Sequence, residues 1–156
     1  MVEMELELED LKKVLRKLDV EGVISGAIAS NYQKSRIERI CGELGLKSIT
    51  PLWGSNPVKL LREMIDSKFD IIITSVAAEG FDEKWLGRKI DEECVEDLTK
   101  LHRKYHINIS AEGGEYETLV LDAPFFKSRI EVMEAQRIWR GTSGYYEVKH
   151  AKLVGK

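Results

Sequence analysis

The chain has 156 residues, 43% of them hydrophobic, with 24 Lys and Arg against 27 Asp and Glu, giving a net charge of −3. That length buries one sizeable core or two small ones, and the slightly acidic balance excludes a phosphate backbone as the default partner, so no nucleic acid is expected. No apolar run reaches membrane-spanning length, and the acidic start M-V-E-M-E-L-E-L-E-D lacks the basic and apolar regions of a signal peptide. Cys41 and Cys94 lack C-x-x-C spacing, which fits a soluble protein of the reducing cytoplasm, with no membrane association.

In chain order, L-E-D-L-K-K-V-L-R-K-L-D places Leu8, Leu11, Val14, Leu15 and Leu18 on one helical face. G-V-I-S-G-A-I-A-S then reads as a buried strand. A helix is expected from Ser30, with Ile37, Ile40, Cys41 and Leu44 inward and Gly45 to end it. A short strand near residues 47–50 follows. Asn56 is a candidate N-cap with Pro57 in the first turn and Val58, Leu61, Met64 and Ile65 as the apolar face. F-D-I-I-I-T-S-V-A-A is apolar without alternation, which predicts a central, parallel strand. A helix over about 94–105, a glutamate-rich loop, a strand at 118–121 and β-rich segments after Phe125 complete the pattern. Alternating helices and strands define an α/β core with a mainly parallel sheet, followed by an α+β portion ending in β-strands.

Two stretches carry chemistry. In G-A-I-A-S-N-Y-Q-K-S-R-I-E, a strand running into a helix at Ser30 aims free N–H groups and the positive helix end at the sheet's carboxyl edge, where anions bind; Arg36 reaches the same place. Ser30 with Gln33 is equally a capping box that needs no ligand. In A-E-G-G-E-Y-E-T-L-V-L-D-A-P-F-F, Gly113 and Gly114 permit close backbone approach while Glu112, Glu115 and Glu117 surround the turn. Converging carboxylates hold an ammonium ion, accept its proton or bind a nucleotide's Mg²⁺; the plain alternative is a Gly-Gly turn with solvated acids. Alternation about Tyr116 directs Glu115 and Glu117 to one face, a costly pairing without a positive partner.

Other groups have structural readings. His102 and His106 lack the glutamate of H-E-x-x-H, so no metal site is assigned, and His106 fits a helix C-terminus. His150 lies in a β-like stretch. Cys41 falls on a core stripe, Trp53 and Trp85 cover core or wall a pocket, and Arg88 is a surface arginine or an anion contact.

Together E-G-G-E-Y-E-T-L-V-L-D-A-P-F-F, G-A-I-A-S-N-Y-Q-K-S-R-I-E, L-G-L-K-S-I-T-P-L-W and W-L-G-R-K-I-D resemble, in the same order, the diphthine–ammonia ligase family, ATP-binding enzymes of the N-type ATP pyrophosphatase (PP-loop) superfamily. The resemblance implies an enzyme that uses ATP, with Mg²⁺, to activate the carboxylate of diphthine on translation elongation factor 2, after which ammonium nitrogen displaces AMP to give diphthamide. It implies Ser30, Tyr32, Gln33 and Arg36 on the nucleotide side, and Glu112, Gly113, Gly114, Glu115, Glu117 and Thr118 around diphthine and ammonium. Glu115 or Glu117 would hold ammonium and take its proton. Trp85, Gly87 and Arg88 match a further family stretch on the substrate side.

The resemblance covers the later two-thirds of the family enzyme. It implies a partial Rossmann-like (HUP/PP-loop type) portion over residues 1–52 and an α+β substrate-binding domain over residues 53–156. The family's opening strand and S-G-G-K-D-S phosphate loop have no counterpart here, so the polypeptide alone is expected to bind ATP poorly. A non-catalytic ligand-binding or regulatory module that kept the glutamate pocket is the alternative, and an RNA-modifying PP-loop enzyme a third that the acidic balance disfavours. A sheet edge left uncovered predicts a homo-oligomer.

Overall fold

The computed structural model describes residues 2–156, which form two compact units, residues 2–55 and 56–156. In the first, α1 (Val2–Leu15) is followed by β1 (Gly22–Ile24), α2 (Asn31–Leu44) and β2 (Lys47–Ile49). The two strands are parallel, with Gly22, Val23 and Ile24 opposite Lys47, Ser48 and Ile49, and α2 is the crossover that parallel pairing requires. A Cβ on Gly22 would lie 2.7 Å from the Lys47 carbonyl oxygen, so only glycine allows this approach.

The signals at both ends of α2 act as expected. The Ser30 hydroxyl accepts from the Gln33 N–H, and Gly45 turns left-handed at φ 69° to close the helix. Ile40 and Cys41 are buried beneath it. The strand expected across 22–30 stops at Ile24: beyond it the Ser25 N–H still donates to the Ile49 carbonyl, and the chain then bends away. α1 also falls short of its expected stripe, because it ends at Leu15 and Val14 and Leu18 stay more than half exposed.

The second unit comprises α3 (Pro57–Asp66), β3 (Asp70–Val76), a short 3₁₀ turn (Glu83–Trp85), α4 (Glu92–Tyr105), β4 (Tyr116–Asp122), β5 (Ser128–Trp139) and β6 (Gly144–Gly155). Asn56 caps α3 by accepting from the Lys59 N–H, with Pro57 in the first turn, and Asp91 caps α4 by accepting from the Cys94 N–H. The α3 face Val58, Leu61, Met64 and Ile65 packs onto a core of Ile71, Ile73, Val76, Phe81, Trp85, Leu86, Cys94, Val95, Leu98 and Tyr116, among others.

The four strands run in the order β4-β3-β6-β5, every pair antiparallel. β3 is therefore inner, as its apolar run predicts, but not parallel. A continuous apolar run reports that both faces are covered and says nothing about the direction of the neighbouring strands. Among the described residues parallel pairing is confined to β1 and β2. β6 flanks β3 only at Ser75 and Val76. Over Ile71–Ile73 that flank is taken by the segment after the 3₁₀ turn: the Gly87 N–H donates to the Ile73 carbonyl, the Ile73 N–H to Arg88 and the Ile90 N–H to Ile71. Along the other flank, Ile73 faces Thr118 and Ser75 faces Glu117, so Thr74 is the extra residue of a bulge.

Candidate active site

The glutamate loop begins with a rigid pedestal. Ile107 and Ile109 are buried, the Ile107 carbonyl lies 2.7 Å from His102 Nδ1, and the Ile109 carbonyl accepts from the Tyr116 hydroxyl at 2.6 Å. Asn108, between them, directs its side chain forward to Ser110. Its Oδ1 accepts from the Ser110 N–H at 3.0 Å and from the Ser110 hydroxyl at 2.7 Å, an Asx turn. Ala111 then adopts a left-handed φ of 59°, unusual for a residue with a Cβ, and its N–H donates to the Asn108 carbonyl. Gly114, at φ 81°, completes the reversal with an N–H to the Ala111 carbonyl.

The reversal folds the Glu115 carboxylate over Gly113. A Cβ on Gly113 would stand 2.6 Å from Oε1 and 2.8 Å from Oε2, so this glycine makes room for a carboxylate. Oε1 accepts from the Asn108 N–H at 3.0 Å. Oε2 is buried and has no hydrogen-bond partner. An unsatisfied buried carboxylate oxygen is costly, and a positively charged donor is what relieves it. The backbone fixes the position as well, since the Glu115 carbonyl accepts from the Ala77 N–H at the end of β3.

Glu112 joins this cluster, its Oε2 lying 3.2 Å from the Ser110 hydroxyl. Glu117 and Thr118 are both exposed on β4, beside the Thr74 bulge. The three glutamates are thus not equivalent: Glu112 and Glu115 are fixed by Asn108 and Ser110, whereas Glu117 faces solvent. Sequence reading had no assignment for Asn108 or Ser110; the I-N-I-S string, with an Asx-turn former two residues before a serine, was the available signal.

Trp85 and Arg88 are placed under the sheet. Trp85 is only 8% exposed and meets Phe81 edge-on at 4.9 Å, and Phe81 lies 6.0 Å from the Tyr116 ring. This aromatic chain supports the loop from below. Arg88 stacks over Trp85 at 4.7 Å and donates to Asp97 at 2.8 Å. Hydrogen bonds from Lys100 and Arg88 hold the Asp97 carboxyl below its usual range. Gly87, at φ 76°, lets the Tyr146 ring come to 2.7 Å of where a Cβ would be.

The first unit carries a separate cavity of about 430 Å³, lined by Leu8, Ser25, Gly26, Ala27, Tyr32, Gln33, Arg36 and Ile37. Its walls are mostly apolar. Arg36 stacks over the Tyr32 ring at 4.4 Å and donates to its hydroxyl, and the buried Ser25 hydroxyl has no partner. A slot with one orphaned hydroxyl and an aromatic-backed cation suits a flat, polar-edged ring. Ser30 is the α2 cap, while Tyr32, Gln33 and Arg36 reach the cavity. Among the described residues no group of three or more His, Cys, Asp or Glu is placed to hold a metal ion, and no helix is long and apolar enough to cross a membrane.

The architecture is that of a mixed α/β protein, a class that hosts many chemistries. The comparisons make the class specific: the diphthamide synthase C-terminal domain matches residues 56–154 and the diphthamide synthase N-terminal domain residues 1–48, and the chain belongs to the diphthamide synthase family. It is 41% identical over 154 residues to the diphthine–ammonia ligase of Rattus norvegicus, covering 96% of this chain and 57% of that protein. Against the Homo sapiens diphthine–ammonia ligase the identity is 39% over 153 residues, 95% of this chain and 57% of the relative. Against that of Schizosaccharomyces pombe it is 41% over 151 residues, 92% of this chain and 25% of the relative. The chain therefore spans little more than half the length of its mammalian relatives. The names of these relatives describe ligases that act on diphthine and ammonia.

Proposed function

We propose that the chain forms the substrate side of an ATP-dependent amide ligase that converts diphthine on translation elongation factor 2 to diphthamide. The observation that carries this reading is the buried, partnerless Oε2 of Glu115 within the E-G-G-E-Y-E-T loop. An ammonium ion supplies what that oxygen lacks, a charged N–H donor of small size. A divalent metal ion would demand about six oxygen ligands, far more than one carboxylate offers.

In the reaction, the diphthine carboxylate oxygen attacks the α-phosphorus of ATP and pyrophosphate leaves. Ammonia then attacks the acyl carbon and AMP departs with the bridging oxygen. Ammonium must first lose a proton to become a nucleophile, and Glu115 is the group that holds the ion and accepts that proton. Oε1 stays on the Asn108 N–H meanwhile, so the proton goes to Oε2. Glu112 adds negative charge beside the site, Gly113 makes room for the Glu115 carboxylate, and Gly114, with open space around it, leaves room for the acyl group. Glu117 and Thr118, both exposed, are suited to contact the protein that bears diphthine. Trp85 and Arg88 serve this site by supporting Tyr116 and β3. The 430 Å³ cavity takes the adenine and ribose of ATP, with Arg36 near the phosphates; Mg²⁺ would arrive on those phosphates.

The test is AMP release from ATP with diphthine-bearing elongation factor 2 and ammonium, using the chain alone and the chain supplemented with the N-terminal segment that its relatives carry. Release that needs both ammonium and the modified factor, and is lost in Glu115→Gln, is the expected result. Folded, supplemented protein that releases no AMP would overturn the ligase reading in favour of a binding module.

A further inference from the structure

We infer that Asn108, acting through Ser110, is the positioning residue of the glutamate loop: it sets the direction of the Glu115 carboxylate and ties Glu112 to the same frame. The inference rests on the reading of Glu115 as the ammonium-holding group. It adds the residue pair on which that group's geometry depends.

One residue makes four of the bonds that shape the loop. The Asn108 N–H holds Glu115 Oε1, its carbonyl holds the Ala111 N–H, and its side-chain oxygen holds both the N–H and the hydroxyl of Ser110. Ser110 carries the connection on to Glu112 Oε2 at 3.2 Å. The flanking isoleucines are buried and their carbonyls engaged by His102 and Tyr116, so the residue 108 backbone has little freedom to drift. What remains adjustable is the chain from Ser110 to Gly114, and the Asx turn constrains its start. Without it, the reversal through the left-handed Ala111 loses the constraint at its start, and the Glu115 carboxylate that the reversal carries over Gly113 meets the residue 108 N–H less often. A carboxylate rotated about its own axis would exchange the roles of its two oxygens, satisfying one at random. With the bond to Asn108 in place, Oε2 is always the oxygen presented to the guest. Asn108 touches no reactant in this scheme, and its effect is entirely on Glu115 and Glu112.

Asn108→Ala removes the acceptor, Asn108→Asp keeps it, and Ser110→Ala removes the hydroxyl while leaving residue 108 unchanged. Two readouts on the 156-residue chain separate positioning from the ammonium reading. The first is hydrogen exchange of the residue 108 amide, followed by ¹⁵N NMR and compared with the intrinsic rate. Ser110→Ala is expected to speed exchange by about tenfold, and Asn108→Ala by at least as much, while Asn108→Asp stays near wild type. The second is the rise in thermal midpoint in ammonium chloride over sodium chloride at equal ionic strength. The ammonium concentration giving half of that rise should increase by about tenfold in Asn108→Ala and be restored in Asn108→Asp, an exchange that loss of packing alone would not reverse.

Unchanged exchange of amide 108 in folded Ser110→Ala overturns the inference, whatever ammonium does. Altered exchange with no ammonium-specific rise in the wild type leaves the positioning role standing and removes ammonium as the guest. If Asn108→Ala fails to fold, the Ser110→Ala exchange result decides by itself.

Discussion

Gly113→Ala tests the centre of the site with a single methyl group. Gly113 does not have a left-handed φ, so alanine fits the backbone, and the whole conflict falls on the Glu115 carboxylate, 2.6 Å from the new Cβ. The carboxylate must swing away and release the Asn108 N–H. Losing a hydrogen bond to a charged group costs about 1.5–3 kcal/mol, while Gly→Ala gains about 0.4–1 kcal/mol by narrowing the unfolded ensemble. The net loss is about 1–2 kcal/mol, which lowers the midpoint of a unit of this size by about 5–10 °C. Urea and thermal unfolding of Gly113→Ala, Glu115→Ala and the double variant form the assay. In the Glu115→Ala background the added methyl meets no carboxylate, so the substitution should become neutral or slightly stabilising. A cost in that background equal to the cost in the wild type would refute the account, because it would place the conflict somewhere other than Glu115.

Tyr116→Phe should lose about 1–3 kcal/mol in chemical denaturation, since it strands the Ile109 carbonyl beneath the loop. Gly87→Ala should be worse, about 2–4 kcal/mol, because it combines a left-handed φ with a methyl 2.7 Å from the Tyr146 ring; Ala111→Gly, at φ 59°, should instead gain about 0.5–1 kcal/mol in the same assay. Burial, ahead of nearby charges, pushes the Cys94 thiol from 9.0 up to about 11. The folded state keeps that proton where the unfolded state has lost it, so the thiol's contribution is whole below pH 9 and is lost as pH rises towards 11. Unfolding midpoints of wild type should therefore fall across that window more steeply than those of Cys94→Ala, and parallel curves would contradict the assignment.

The elements that were legible are those whose signals are local. Ser30, Gly45, Asn56 and Pro57 mark helix ends by their own hydrogen-bonding or φ constraints, and the α3 stripe follows from period alone. Strand direction was not legible, because the apolar run of β3 records burial without recording which neighbours provide it. At the site, the glutamates and glycines stood out as residue types. Their division of labour did not. Glu115 and Glu117 share the spacing of one strand face, yet β4 starts only at Tyr116 and a bulge at Thr74 lies opposite, so one carboxylate folds inward and the other meets solvent. Asn108 was overlooked because its role needs a loop reversal that no periodicity encodes.

The sheet order carries a consequence for biosynthesis. β3 leaves the ribosome well before either neighbour: Val76 must wait for Tyr116 on one side and for Gly144 on the other. Throughout that interval Ile71, Ile72 and Ile73 form a nascent sticky segment, sheltered only by α3 and by the stretch around Gly87–Ile90 that can dock early. β5 and β6, neighbours in the chain, can zip together as soon as both emerge. A ribosome stalled before the E-G-G-E turn would thus hold a chain whose most apolar strand has no sheet to join, the length at which chaperone demand should peak.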